Sequence, residues 1–203
     1  MKKTSWLRLL ALMLALALTV SLVACDGESP LGTTDGDDPP IQPGGDAYAA
    51  LEYFLGEIYA VGGYSDMLTD MLNAPPSTED TFYNHLVTSR ITEENETYFL
   101  GSDSLVYDAA IASDPAMSPT LYSLCLLVAE TEDQAETLAT ELKKSANPMK
   151  WVCTGLADDD VYVARSGCYV ILVMSASDGE KLISAFHEVV GGVTITTAVP
   201  CDR

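Results

Sequence analysis

The chain has 203 residues, with ten Lys and Arg against thirty Asp and Glu, and a formal net charge of −20. That length suits one ordinary domain with some chain to spare. The acidic balance argues against nucleic-acid binding and against flat electrostatic contact with anionic lipid, and otherwise marks a well-solvated exterior.

Lys2, Lys3 and Arg8 stand at the start of the chain, before an apolar run from Leu9 to Ala24. A charged segment followed by a hydrophobic one is the pattern of an export signal. The run falls short of the roughly 20 apolar residues that a membrane-spanning helix needs, and a retained N-terminal anchor helix is the alternative. It ends in Leu22-Val23-Ala24-Cys25, which resembles a bacterial lipobox. That resemblance implies a signal peptide over residues 1–24 and a diacylglyceryl group on the thiol of Cys25, which becomes the new N-terminus. The expected location is the extracytoplasmic face of the cell membrane, with the lipid bilayer as partner. One acyl chain holds a protein only marginally, at about 0.8 kcal/mol per buried methylene, whereas two or more give stable attachment. Removing the signal takes away three basic residues and no acidic ones, so seven basic face thirty acidic residues, a net charge of −23.

From residue 26 to 45 the sequence reads DGESPLGTTDGDDPPIQPGG. So little apolar surface cannot offset the entropy of ordering, and residues 25–45 are expected to form the lipidated Cys and a disordered acidic tether. Twenty flexible residues reach about 25 Å, and acidic repulsion extends them further. Asp-Gly-Asp-Asp at 35–38 resembles part of a calcium loop but lacks the remaining ligands and the distal Glu.

Residues 46–203 are expected to form a single α+β domain. Asp46 can cap a helix that carries Tyr48, Leu51, Phe54, Leu55 and Ile58 on one face, and Gly62-Gly63 breaks it. A second amphipathic piece runs from Asp66 to Leu72 and stops before Ala74-Pro75-Pro76. Residues 78–90 have no single reading. TEENETYFLG, after it, is a short helix with acidic residues in its first turn and Gly101 as its C-cap.

A pattern then repeats. Strands are expected over Val106–Ala112 and Thr120–Ala129, followed by a helix opened by a Thr131/Gln134 capping box. Strands over Asp160–Arg165 and Cys168–Ser175 follow, joined by Ser166-Gly167, with a second helix opened by Ser177 and Glu180. YSLCLLVAETEDQAETLATEL lies over YVILVMSASDGEKLISAFHEV without a gap, sharing periodicity but little identity. The fold class expected is α+β: a mainly antiparallel four-stranded sheet built from two strand–turn–strand–helix units. Both unit helices would pack on the face of Tyr122, Leu124, Leu126 and Val128. The strand after Gly167 is apolar on both sides and so needs cover on both, which makes the N-terminal helix a lid; the alternative is an exposed patch that binds a partner.

Four cysteines follow Cys25. Strand phase places Cys125 and Cys168 on the same side, where they can meet as a disulfide if their Cα atoms lie within about 7 Å. Cys153 and Cys201 are then a second pair or free, and buried unpaired thiols are equally ordinary packing. No metal site is expected: there is no Cys-x-x-Cys, and in HEVVG, residues 187–191, Gly191 stands where the second His of a zinc motif belongs. The one nucleophile–base pair to name is Cys153 with His187, with Lys150 lowering the thiol pKa. It supplies the alternative function, a thiol-dependent hydrolase. Asp158, Asp159 and Asp160 can offer oxygens to a hard cation but sit where an acidic turn precedes a strand. Neither a Gly-x-Ser-x-Gly elbow nor a Gly-rich phosphate loop occurs, and no cofactor is implied.

ITEENETYFLG, NPMKWVC and CYVILVMS together resemble a domain-of-unknown-function family of small lipoproteins from low-GC Gram-positive bacteria. The resemblance covers about half of the chain, with the Lys-Trp segment its most specific piece. It implies an anchored, compact α+β domain and no catalytic residue. The function expected is thus a non-catalytic binding or interaction module at the cell surface, with Trp151 and Lys150 as candidate contacts for a protein or envelope partner. Trp151 would plug the corner apolarly while Lys150 keeps its ammonium in water.

Overall fold

A computed structural model describes residues 46–117, 120–151 and 153–192, within a unit that spans Pro39–Arg203. The carboxylate of Asp46 accepts the Tyr48 amide and starts helix α1 (Ala47–Val61). Its apolar face buries Ala50, Leu51, Phe54, Leu55 and Ile58. Gly62 and Gly63 both have φ near +75°, 76° and 74°, which ends the helix. Ser65 caps α2 (Asp66–Asn73), which buries Leu68 and Met71.

Five antiparallel strands follow: β1 (Leu86–Arg90), β2 (Ala109–Pro115), β3 (Ser123–Val128), β4 (Val161–Ser166) and β5 (Tyr169–Met174). They lie in the order β1-β2-β3-β5-β4. Helix α3 (Glu96–Leu100) joins β1 to β2, α4 (Glu132–Ser145) joins β3 to β4, and α5 (Gly179–Gly192) follows β5. Among the described residues the sheet therefore has five strands, where four were expected. The extra one is β1, from the stretch without a clear period; as an edge strand it half-buries only Leu86 and Ser89, so its sequence carries little alternation. β2 lies three residues later than expected. Its AAIASDP sequence is weak in β-formers, but pairing with β1 on one side and β3 on the other holds it extended.

The two unit helices take opposite faces, which corrects the expectation of a shared one. Leu124, Leu126, Val128, Tyr169, Ile171 and Val173 meet α1 and α5, through Phe54, Leu182 and Phe186 among others. Cys125, Leu127, Val170, Leu172 and Met174 meet α4 through Ala135, Leu138 and Leu142. Both α4 and α5 lie over β4 and β5, one from each side, while α1 sits beside α5 over β2 and β3. The sheet has helices on both faces, with α1 as cover, but α1 shares its side with α5. β3 and β5 are buried at every position. Alternation in them cannot say which face a following helix will choose.

The caps also differ in detail. Thr131 accepts the Gln134 amide as expected, whereas the Gln134 side chain takes the amide of Glu130. At α5 the Ser177 hydroxyl bonds the Asp178 carboxylate, not the Glu180 backbone. Asp178 is fully buried and accepts from the amide and hydroxyl of Ser65 at 2.7 and 2.6 Å, joining the starts of α2 and α5. A carboxylate there faces the positive ends of two helices. None of the described helices is long and apolar enough to cross a membrane.

Gly101, at φ 74°, lets the end of α3 touch the end of α4, and the Ser145 hydroxyl donates to the Leu100 carbonyl at 2.7 Å. A Cβ on Gly101 would stand 1.8 Å from the Ser145 carbonyl oxygen, whereas one on Gly167, φ 58°, would meet nothing within 4 Å. Gly167→Ala is therefore expected to cost only the left-handed conformation, about 1 kcal/mol, and Gly101→Ala to cost more than about 2 kcal/mol. Denaturant midpoints of the two variants test the difference.

Candidate functional site

The polar centre of the molecule sits where the NPMKWVC corner folds onto the sheet. After α4 the Asn147 side chain accepts the Met149 amide, and its carbonyl accepts the Lys150 amide. The Pro148 carbonyl takes the Leu156 amide at 2.9 Å and closes the loop. This tight turn drives Trp151 into the α4-side core, where it is 6% exposed.

Lys150 turns inward as well. Its side chain is 2% exposed, against 17% for Asp114, and its Nζ lies 3.1 Å from Asp114 Oδ2. Nζ also donates to Ser123 Oγ at 2.8 Å, and Ser123 Oγ donates to Asp114 Oδ1 at 2.6 Å. The rings of Tyr98, Phe99 and Trp151 stand 4.5, 5.1 and 5.3 Å from the ammonium. The ammonium is thus held by a carboxylate, a hydroxyl and three ring faces, each favourable to a desolvated cation. The expectation that Lys150 keeps its charge in water is corrected: the corner packs so tightly that the whole side chain is enclosed. Trp151 is the apolar plug expected, and neither side chain presents surface to a partner.

β2 and β3 send polar groups to both faces at this end. On the α1 side the Tyr59 hydroxyl donates to Ser113 Oγ at 2.8 Å and lies 2.9 Å from the Tyr122 hydroxyl. Ser113 and Asp114 are consecutive, as are Tyr122 and Ser123, so one two-residue step serves both layers. A third polar contact, Tyr107 donating to Glu96 at 2.9 Å, ties the approach to β2 to the first turn of α3. Among the described residues no buried side-chain nitrogen or oxygen lacks a partner.

The sequence-derived site residues are scattered. Cys125 is a buried free thiol and Cys153 an exposed one, while Cys168 is disulfide-bonded. The expected Cys125–Cys168 disulfide is not formed, because Cys125 projects into the α4 side of the core and Cys168 into the α1–α5 side. Cys25, Cys201 and the Asp-Gly-Asp-Asp segment lie outside the described residues. Cys153 follows Trp151 on the loop anchored to the α4 face, whereas His187 is exposed on α5, across the sheet. The structure does not bring that pair together. Asp158, Asp159 and Asp160 form a single 3-10 turn before β4 with no buried member. Among the described residues no cluster of His, Cys, Asp or Glu is arranged to hold a metal.

Sequence reasoning missed Asp114, Ser123, Tyr98 and Phe99 as the surroundings of Lys150. The signal available was a lone Asp at the end of a strand of small residues, and nothing local connects it to a Lys 36 positions on.

Removing one member of a buried ion pair leaves the other unpaired, so Lys150→Met is expected to cost about 3 kcal/mol or more. The double variant Lys150→Met/Asp114→Leu should lose distinctly less, and a double-mutant cycle by denaturant unfolding measures the coupling. The buried hydroxyls and thiol predict a pH dependence too. Burial pushes the Cys125 thiol up from 9.0 to about 12, against the opposing pull of the Lys150 charge. Burial, then the Asp178 charge, pushes Tyr64 up from 10.0 to about 12. Burial raises Tyr59, Tyr107 and Tyr122 in the same direction. Above these ordinary values the unfolded chain sheds protons that the folded chain keeps, so this stability is full below about pH 9 and falls as pH rises towards 12. Unfolding free energy followed upwards from pH 8 checks it, with phenolate absorbance expected to appear together with loss of structure.

Models of known protein families, curated proteins and solved structures were all compared with the chain, and none gave a significant match.

Proposed function

We propose that the chain is a lipid-anchored extracytoplasmic protein whose α+β domain is a non-catalytic binding module, held off the membrane by its acidic tether. Leu22-Val23-Ala24-Cys25 after an apolar run supports the anchor. The observation that carries the binding reading is a contrast between inside and outside. Lys150, Ser123, Cys125 and Tyr59, side chains able to do chemistry, are turned inward, away from any substrate in solution. Facing solvent is a cleft of about 370 Å³ between α4 and the approach to β2, with Leu105, Val106 and Leu138 between Asp133 and Glu141. Val106 is 69% exposed there. Apolar side chains beside two carboxylates and no cation suit an apolar or cationic group on a partner better than an anionic one.

Cells given labelled palmitate should incorporate label into the wild-type chain, and Cys25→Ala should lose both the label and the membrane fraction. Label retained by that variant would sink the anchor. Crosslinking in intact envelopes tests the module: Val106→Glu, at an exposed position, should leave folding unchanged and abolish a partner captured by the wild type.

A further inference from the structure

The Lys150–Asp114 pair is poised for more than attraction. An amine and a carboxyl group lie in contact, Nζ to Oδ2 3.1 Å, with the lysine side chain 2% and the aspartate 17% exposed. A hydroxyl, Ser123 Oγ, touches both, 2.8 Å from Nζ and 2.6 Å from Oδ1. Three aromatic rings wall off the nitrogen. We propose that Lys150 and Asp114 become joined by an isopeptide bond, formed by loss of water from this pair.

Three physical factors favour the condensation. Each buried ion carries a desolvation penalty. Passing a proton from ammonium to carboxylate removes both charges and leaves the two reactants, a free amine and a carboxylic acid. Fixed reacting groups at roughly 3–3.5 Å behave as if at about 10⁵–10⁸ M, enough to overcome the handicap that amide formation has in water. Finally, Ser123 donates to Oδ1, the oxygen on which negative charge develops.

The steps balance. A proton moves from Nζ to Oδ2, and the Nζ lone pair then attacks Cγ of Asp114, placing charge on Oδ1 under the Ser123 hydroxyl. Nζ gives up a second proton directly to Oδ2, the oxygen it already touches in the ion pair. The Cγ–Oδ2 bond breaks, water departs, and the Cγ–Oδ1 double bond re-forms. Nothing is oxidised or reduced and no co-reactant enters. Water leaves on the side where Asp114 is still partly exposed. The product is neutral, and Ser123 remains within reach of both its carbonyl and its N–H. It ties the corner after α4 to the end of β2 covalently, with β3 and α4 enclosed between them.

Mass spectrometry of the full chain, reduced and denatured, decides the matter. Once any removal of residues 1–24 and acylation of Cys25 are accounted for, the wild type is expected to weigh one water less than calculated, to resist trypsin after Lys150, and to yield a branched peptide joining Lys150 to Asp114. Lys150→Arg and Asp114→Ala should restore the full mass, and Ser123→Ala should slow the loss of water. These readings need no folded variant. A wild type at full sequence mass after long incubation at neutral pH, cut normally after Lys150, overturns the proposal. So does a water loss that persists in Lys150→Arg.

Discussion

Two neighbouring strands, β3 and β5, are buried at every position and carry one polar side chain between them, Ser123, and the rest of the fold answers to that. Each side chain on them is buried, and burying a Leu, Ile or Val contributes roughly 1.5–3 kcal/mol. A sheet whose middle is apolar on both sides must be covered on both sides. One layer is supplied by α1 and α5 together. The other has α4 over β4 and β5, while the short α3, the Trp151 corner and the loop before β2 close the remainder. That second cover is built largely from irregular chain, which explains why it needs so many specific polar ties: Ser145 to Leu100, Tyr107 to Glu96, and Lys150 to Asp114 and Ser123.

What could be read from the sequence follows the range of the interactions concerned. Helix α1 was legible because its cap, its apolar stripe and its terminating glycines are all local, and so was the end of α3 at Gly101. The two hairpins followed by helices were legible for the same reason. The side of the sheet chosen by α4 was not, since Cys125 and Leu127 are as buried as Leu124 and Leu126. Nor was the direction of Lys150. A Lys beside a Trp reads equally well as a stem with its charge in water, and only Asp114, brought alongside by the β2–β3 pairing, turns it inward. Asp178 is similar: the local pattern assigns the helix start to Ser177 and Glu180, whereas two of the hydrogen bonds to the Asp178 carboxylate come from Ser65, 113 residues away.

The exterior follows a different rule. Every Lys and Arg among the described residues already has a partner: Arg90 with Asp46 and the Tyr48 ring, Lys144 with Glu141, Arg165 with Glu132, and Lys143, Lys150 and Lys181 with interior or backbone oxygens. Most carboxylates have none of these cations to meet. The positive charges are occupied within the domain, while the excess negative charge faces solvent and keeps neighbouring copies apart.

The contact between Ser65 and Asp178 carries a consequence for how the chain acquires its shape. It joins the second helix to the last, and α1 also packs on α5, so the N-terminal helices find their seats only when the far end of the chain is present. Long-range closure of this kind makes folding late and global. A chain delivered N-terminus first would hold α1 and α2 undocked, and would reach its native state only after the whole domain had emerged.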